Sequence, residues 1–528
     1  MKIIYKVICL TFSFFLTVSC GEKFLDVSPT DKLSDMTFWK TEKDAEMALA
    51  GIYNKWEEHT NILWWDLMTD NGFSQYAWDN VQVLGNGQAN ASNFGKDYFN
   101  YTLIRKYNQF IEKVPQIEMD AQKKEKMLAE ARFLRAYDYF RKVQFYGDVP
   151  LVTEVIENPE DAKIGKTPKA EVVSFILSEL DAVSKILPAE NMRQSGGHVT
   201  SGAALALKAR LELYEGKYAD AMADSKKVLD MAKNGVYKLY PDYFGLFQVE
   251  NESNNMESVL EIQYIKDTYA NNIWQHILPS KEGGWSSISA VQSIVDAYEM
   301  KDGKTITESA LYNPDKPFEN RDPRLGMTIL YSGAKYNGRF FNTLDLSSPD
   351  FYQSASAPKS GYNVLKYTTI VPEALLNNGD ANVMVIRLAE VLLTYAEAAI
   401  ESGQITADVY DAMDMIRARA KMPAVDRTVY NTQAKLRELV RRERRIELAF
   451  EGLRYWDIKR WDIGAQALNG PVYGSRLGTM NNATGVVTWN GAKIKVEDRV
   501  FVANRKYLLP IPQAELDANP AIEQNAGY

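Results

Sequence analysis

The sequence predicts a mostly α-helical protein, with paired helices forming a scaffold and a loop-rich insertion carrying short strands. Three observations predict it. Apolar residues recur at helical spacing through most of the first half. Two helix–turn–helix patterns at 200–232 and 386–420 carry small residues on their facing stripes. Between them, from about Gly235 to Gly379, Gly, Pro, Asn and Tyr are frequent and helical period is scarce.

The elements follow in order. Lys43 to Glu58 places Ala45, Leu49, Ile52, Tyr53 and Trp56 on one helical face. Lys123 to Phe145 carries Phe133, Tyr137, Phe140 and Gln144 at steps of four, three and four. Gly147-Asp148-Val149-Pro150 ends that helix, since glycine permits a left-handed cap and proline blocks continuation. Thr167-Pro168 opens the next, with proline at a tolerated first position. Leu207, Leu211 and Tyr214 form a stripe, Glu215-Gly216-Lys217 a tight turn, and Ala221, Ser225, Val228 and Ala232 the returning stripe. Leu213 to Ala221 resembles the turn of a tetratricopeptide helix pair. A second pair spans Leu388 to Ile400 and Val409 to Ala420 around Ser402-Gly403-Gln404. Such pairs bury their apolar faces by stacking. Ser258 to Tyr264 alternates as a short strand does. The tail, 465–528, reads as irregular and loop-rich. The expected organisation is a lead at 1–19, then one unit at 20–528. Within that unit the scaffold covers about 40–234 and 380–464, and the insertion about 235–379.

The first twenty residues read as an export signal. Lys2 and Lys6 precede an apolar run from Val7 to Val18, too short to span as a mature helix, and Ser19-Cys20 follows. Cys20 stands where a bacterial lipoprotein signal places its lipid-accepting thiol. Leu16 is one position further back than such signals usually have it. Lipid chains there would hold the protein on a membrane without a span.

Composition narrows the chemistry. The formal net charge is −8, and removing the lead takes two lysines with it. An acidic surface gives no general attraction to nucleic acid, so no nucleic-acid partner is expected. The two cysteines are Cys9, inside the lead, and Cys20. With Cys20 lipidated, no thiol remains for nucleophilic, thiolate-metal or redox work. His59, His198 and His276 are not at metal-ligand spacing, and neither a metal nor a cofactor is expected. Lys435 to Arg445 is rich in arginine, but Glu438, Glu443 and Glu447 are interleaved. It reads as a salt-bridged helix face with a Glu438–Arg442 pair at i,i+4.

Aromatic residues make up 12% of the chain. Those in loops need an explanation other than a core. In the stretch Asp66 to Asp79, Asp70, Asn71, Tyr76 and Trp78 stand without helical period, and Trp64 and Trp65 just before them read as core. In the second stretch, Tyr269, Asn271, Asn272 and Trp274 precede Gly283-Gly284-Trp285. Glycines beside Trp285 leave its indole accessible, whereas Trp274 reads equally well as core. A sugar ring has an apolar CH face and a hydroxyl rim. Exposed aromatics take the face; Asp and Asn take the hydroxyls. Asp70, Asn71, Tyr76, Trp78, Tyr269, Trp274 and Trp285 are therefore the candidate ligand contacts, with no catalytic residue among them.

Four strings, in order along the whole chain, resemble the SusD/RagB family of Bacteroidetes outer-membrane lipoproteins. They are Phe24-Leu25-Asp26-Val27-Ser28-Pro29; Glu130 to Tyr137 continuing to Tyr146 to Val152; Glu443 to Gly452 with Leu453 to Asp457; and Tyr507 to Pro512 with Asn519-Pro520 and Gln524-Asn525. The resemblance implies a surface lipoprotein that captures a nutrient, usually an oligosaccharide. It also implies delivery to a SusC-like TonB-dependent outer-membrane transporter, with no chemistry done on the ligand. The helix pairs would face the transporter, and the N-terminal loops and insertion would form the site. Two alternatives stand beside this reading. One is a peptide-capturing member of the same family. The other is a secreted glycoside hydrolase using a carboxylate pair such as Asp70 and Asp79.

Overall fold

The computed structural model describes residues 38–528. The basic and apolar lead, Cys20 and the Phe24–Pro29 string lie outside the described residues. The fold is mostly helical, with five small two-stranded antiparallel sheets among the described residues.

Helix α1 (Glu42–Tyr53) begins in a capping box. The Thr41 hydroxyl accepts from the Asp44 amide, and the Asp44 carboxylate accepts from the Thr41 amide. It buries Ala45, Leu49 and Ile52 of the predicted stripe but ends at Tyr53, short of the expected Glu58, so Trp56 is buried from the turn that follows. Helix α2 (Thr102–Lys113) leads to α3 (Ala121–Tyr146), the longest helix. From Met127 onward nearly every α3 side chain is buried, because α1, α2 and α4 (Lys169–Ser184) pack around it. Gly147 ends α3 at φ +74°, as its position predicts. Pro168 is the residue that caps α4, one place before the expected first turn.

Helices α5 (Ser201–Tyr214) and α6 (Tyr218–Lys233) form the first hairpin; α7 (Leu388–Glu401) and α8 (Ala407–Arg419) form the second. Gly216 and Gly403 turn them at φ +69° and +72°. Helices α6 and α7 pack together, so the hairpins bury their apolar faces against each other.

The intervening stretch is held by short strands. Strand β2 (Ser258–Ile262) pairs antiparallel with β6 (Val383–Arg387), and the pair packs on α5. All five β2 residues are buried, so its alternating sequence does not mark an exposed face. Strand β1 (Gly72–Phe73) pairs with β3 (Ser289–Ala290), and β4 (Ile329–Tyr331) with β5 (Tyr362–Val364).

The structure corrects the reading of the tail. Residues after Gly464 include a long antiparallel ribbon, β7 (Gly470–Met480) with β8 (Val487–Arg499). Its alternation is broken by glycines that the packing requires. A Cβ at Gly474 would lie 2.0 Å from the Ser360 carbonyl oxygen. The final string then closes on α3: the Leu509 amide donates to the Phe145 carbonyl, and Asn525 Nδ2 to the Tyr146 carbonyl.

Helix α9 (Gln433–Glu447) also differs from expectation. Its charges do not form a solvated i,i+4 face. Glu443, Arg444 and Glu447 are buried, and their partners come from other elements. Arg324 reaches Glu443 and Glu447 at 2.6 and 2.9 Å, Arg387 reaches Glu257 and Glu447 at 2.7 Å, and Arg417 reaches Glu443 at 2.8 Å. Burial works against ionised Glu447, but Arg419, Arg387 and Arg324 outweigh it and hold the carboxyl well below its usual range. Buried pairs of this kind add little net stability over apolar packing, yet losing one partner is costly. They tie α9 to the loop-rich stretch, to β6 and to α8.

Candidate functional site

The site is built on a clamped turn. Trp64 and Trp65 sit on a short 3-10 segment, Trp64–Met68, and are buried as predicted. Trp65 stacks on Phe145 with ring centroids 5.0 Å apart. The next residues are gripped from the other end of the chain. Asp70 accepts from Arg454 Nε and Nη2 at 2.8 and 2.9 Å and pairs with Arg445 at 3.0 Å. Burial pushes the Asp70 carboxyl up, but Arg445 and Arg454 overcome this and bring it to about 2. Asn71 is 1% exposed; it donates to Asp66 at 2.7 Å and accepts from Arg445 Nε at 2.9 Å. The Arg499 guanidinium donates to the carbonyls of Leu67, Thr69 and Gly72. The strings at 443–454 thus hold the turn from which the aromatic loop springs.

Pairing of β1 with β3 then brings the two predicted loops together. Gln75 Nε2 and the Tyr76 hydroxyl both donate to the Trp285 carbonyl, at 3.0 and 3.1 Å. Tyr76 and Trp78 stack with centroids 4.2 Å apart and planes 22° from parallel, and Trp285 meets Tyr76 edge-on at 6.4 Å. Trp78 is 69% exposed and Trp285 37% exposed. Gly284 allows this presentation, since a Cβ there would lie 2.0 Å from the Leu278 carbonyl oxygen. Behind the platform, edge-to-face contacts run from Trp285 to His276, from His276 to Trp64, and from Trp64 to His59. His59 in turn meets Tyr264, on which Tyr269 stacks. Burial lowers both imidazoles to about 4, and for His59 the neighbouring His276 adds to the effect. Both are therefore neutral near pH 7, and serve as flat spacers beneath the platform.

A cleft of about 970 Å³ adjoins the platform. Asp79, next in the chain after Trp78, and His276, in ring contact with Trp285, both line it. Its other walls come from 54–61, 91–106 and 138–142, with amide side chains at Asn54, Asn61, Asn80, Asn93 and Asn100. Burial raises the Asp79 carboxyl, against the Ser74 hydroxyl that donates to it.

Of the seven residues singled out from sequence, Tyr76, Trp78 and Trp285 meet at one surface. Tyr269 is half-buried on the adjoining ladder, and its hydroxyl accepts from the Lys55 amide. Trp274 is 2% exposed and belongs to the core. Asn71 is buried and Asp70 keeps 14% of its side chain exposed; the polar groups of both are taken up in holding the turn. Both Asp70 oxygens are occupied by Arg454 and Arg445, which leaves neither free to act as nucleophile or base beside Asp79. The cleft was missed by sequence reasoning. The signal was present as asparagines at 80, 93 and 100 in a stretch without period, but no spacing relates them to residues 54–61 or 138–142.

The chain is similar to known proteins along nearly all of its length. Residues 246–528 match the model of the SusD family, and residues 23–213 match a model described as starch-binding, associating with outer membrane. A SusD-like carbohydrate-binding protein of Bacteroides fragilis is 30% identical and superposes with a TM-score of 0.81. That match covers 92% of this chain and all of the other. A laminarin-binding SusD-like protein is 25% identical, with a TM-score of 0.69, over 93% of this chain and all of its own. A SusD-like protein of Formosa agariphila is 26% identical over 99% of both chains.

Proposed function

Because this chain belongs to the SusD/RagB family, we propose that it is a surface glycan-binding protein that captures an oligosaccharide and hands it to a SusC-like TonB-dependent transporter. The observation that carries the binding reading is the exposed Tyr76–Trp78 stack with Trp285 at its edge. Aromatic rings held in this arrangement offer an apolar face of the kind a sugar ring covers. A sugar's CH face fits the open side of Trp78. The names of relatives agree: one binds carbohydrate, another laminarin. Association with the outer membrane is what the N-terminal family model describes. Anchoring through lipid on Cys20 is the finer reading, consistent with the lead before it. Among the described residues no helix is long and apolar enough to cross a membrane. Binding without turnover is the role assigned, and no cofactor enters it.

Native purification from cells grown on the inducing nutrient tests the partnership. The protein should come with a large TonB-dependent barrel under mild detergent. Recovery as a free monomer under the same conditions would contradict the delivery role. A screen against a glycan array tests the binding role, and purified protein that binds no glycan would overturn it.

A further inference from the structure

The cleft beside the platform has no part in the reading above, and its chemistry is specific. Platform and cleft share a wall. Trp78 and Asp79 are consecutive on one turn, Ala77–Asp79, with Trp78 outward and Asp79 on the cleft. His276 lines the cleft while its ring supports Trp285. The cleft therefore begins one residue from Trp78 and one ring contact, 5.4 Å between centroids, from Trp285.

The charges lining the cleft are balanced. Arg141 pairs with Glu57 at 2.7 Å and Lys142 with Asp138 at 3.1 Å. That leaves ammonium groups at Lys55, Lys96 and Lys106 and carboxylates at Glu58, Asp79 and Asp97, none of them in an ion pair among the described residues. Three positive and three negative groups give no net field to draw a polyanion or a polycation. The Ser92 hydroxyl and the Asn54 side chain are likewise without hydrogen-bond partners among the described residues. Free donors and free acceptors side by side suit hydroxyl groups, which are both.

We propose that this cleft is a second subsite for the same ligand, receiving further units of a neutral oligosaccharide whose first units lie on the Trp78–Trp285 platform. The inference rests on the glycan-binding reading and adds two things to it, ligand length and ligand charge. Two-part binding means that affinity rises with chain length until both parts are filled. Uncharged recognition means that affinity is insensitive to salt, since no ion pair is there to be screened.

The test is calorimetry with neutral oligosaccharides from starch, laminarin, mannan and xylan, and acidic ones from pectin and alginate, each of two to eight units. Wild type is compared with Trp78→Ala and with two cleft variants, Asn54→Ala and Ser92→Leu, whose parent side chains are exposed and hold nothing in place. The second replaces a hydroxyl on the cleft wall with a bulkier apolar side chain. The expected result is a neutral ligand whose affinity climbs between three and six units and stays constant from 50 to 500 mM salt. Cleft variants should lose roughly tenfold on the long chains and nothing on the short ones. Trp78→Ala should lose affinity for both. Cleft variants that bind long chains as wild type does would overturn the second subsite and leave the platform reading standing. An acidic ligand with steep salt dependence would overturn the neutral assignment. Failure of every glycan, short or long, would overturn the glycan-binding reading and this inference with it.

Discussion

Replacing Asp70 with alanine separates a residue that touches ligand from one that holds the site. In the structure the carboxylate is gripped by Arg454 at 2.8 and 2.9 Å and faces Arg445 at 3.0 Å. Its pKa falls from 3.8 to about 2, which corresponds to roughly 2 kcal/mol favouring the charged form in the fold. Arg445 offsets this, because burial draws its guanidinium from 12.5 down to about 10. The intact cluster is thus close to break-even. Its removal is not, since Asp70→Ala leaves two largely buried guanidinium groups without their counter-charge, at a cost of about 3–5 kcal/mol. Asp70→Asn keeps the shape and one acceptor and should cost less, about 2 kcal/mol. Urea denaturation gives the stability. Calorimetry at a temperature where the variant remains folded gives the affinity, which should fall only a few-fold as the turn beneath Trp78 loosens. An Asp70→Ala protein that unfolds like wild type yet binds no glycan would refute the clamp and restore Asp70 as a ligand contact.

Other outcomes follow from the same geometry. The ring protons of His59 and His276 should titrate in NMR near pH 4 in the folded protein, not near 6.5. Between those values the unfolded chain binds protons that the folded chain does not. The pair therefore adds its full share of stability above about pH 6.5 and loses it as pH falls toward 4. Glycan affinity should stay level from pH 8 to 5.5 and drop as the imidazoles beneath Trp285 take protons; a midpoint near 6.5 would contradict their burial. Cys20→Ala should yield protein that no longer fractionates with the outer membrane in cells lacking the transporter. Trp274→Ala, in contrast to the exposed tryptophans, should cost about 3–5 kcal/mol of stability through the cavity it leaves. A melting temperature unchanged from wild type would place that ring outside the core.

The helical scaffold was readable because its signals are local. The four–three–four spacing of Phe133, Tyr137, Phe140 and Gln144 needs no information from elsewhere in the chain, and neither do the glycine turns at 216 and 403. Trp78 and Trp285 were readable for the same reason: each is a large ring in a stretch without period. Asp70 and Asn71 have the residue types a sugar site needs, yet their arginine partners lie more than 370 positions away. Nothing near residue 70 announces an arginine clamp. The charges of α9 misled in the same way, since an i,i+4 spacing is visible in sequence and a buried partner such as Arg324 or Arg387 is not. The β7–β8 ribbon was hidden by Gly474 and Gly478, which break the strand pattern because another backbone passes too close for a side chain.

The platform is the central claim, and calorimetric titration of Trp78→Ala and Trp285→Ala tests it most directly. Trp78 is 69% exposed. Of roughly 250 Å² for a tryptophan, about 170 Å² is therefore open, and a sugar on the free face covers about half. At about 25 cal/mol per Å² that is ~2 kcal/mol, or roughly thirtyfold in Kd. Trp285, less exposed, should cost somewhat less. Stability should change by no more than about 1.5 kcal/mol in Trp78→Ala, the worth of its stack on Tyr76. Weakened glycan binding in folded, stable variants is the predicted result. Wild-type affinity in both variants would contradict the account and move the site away from these indoles.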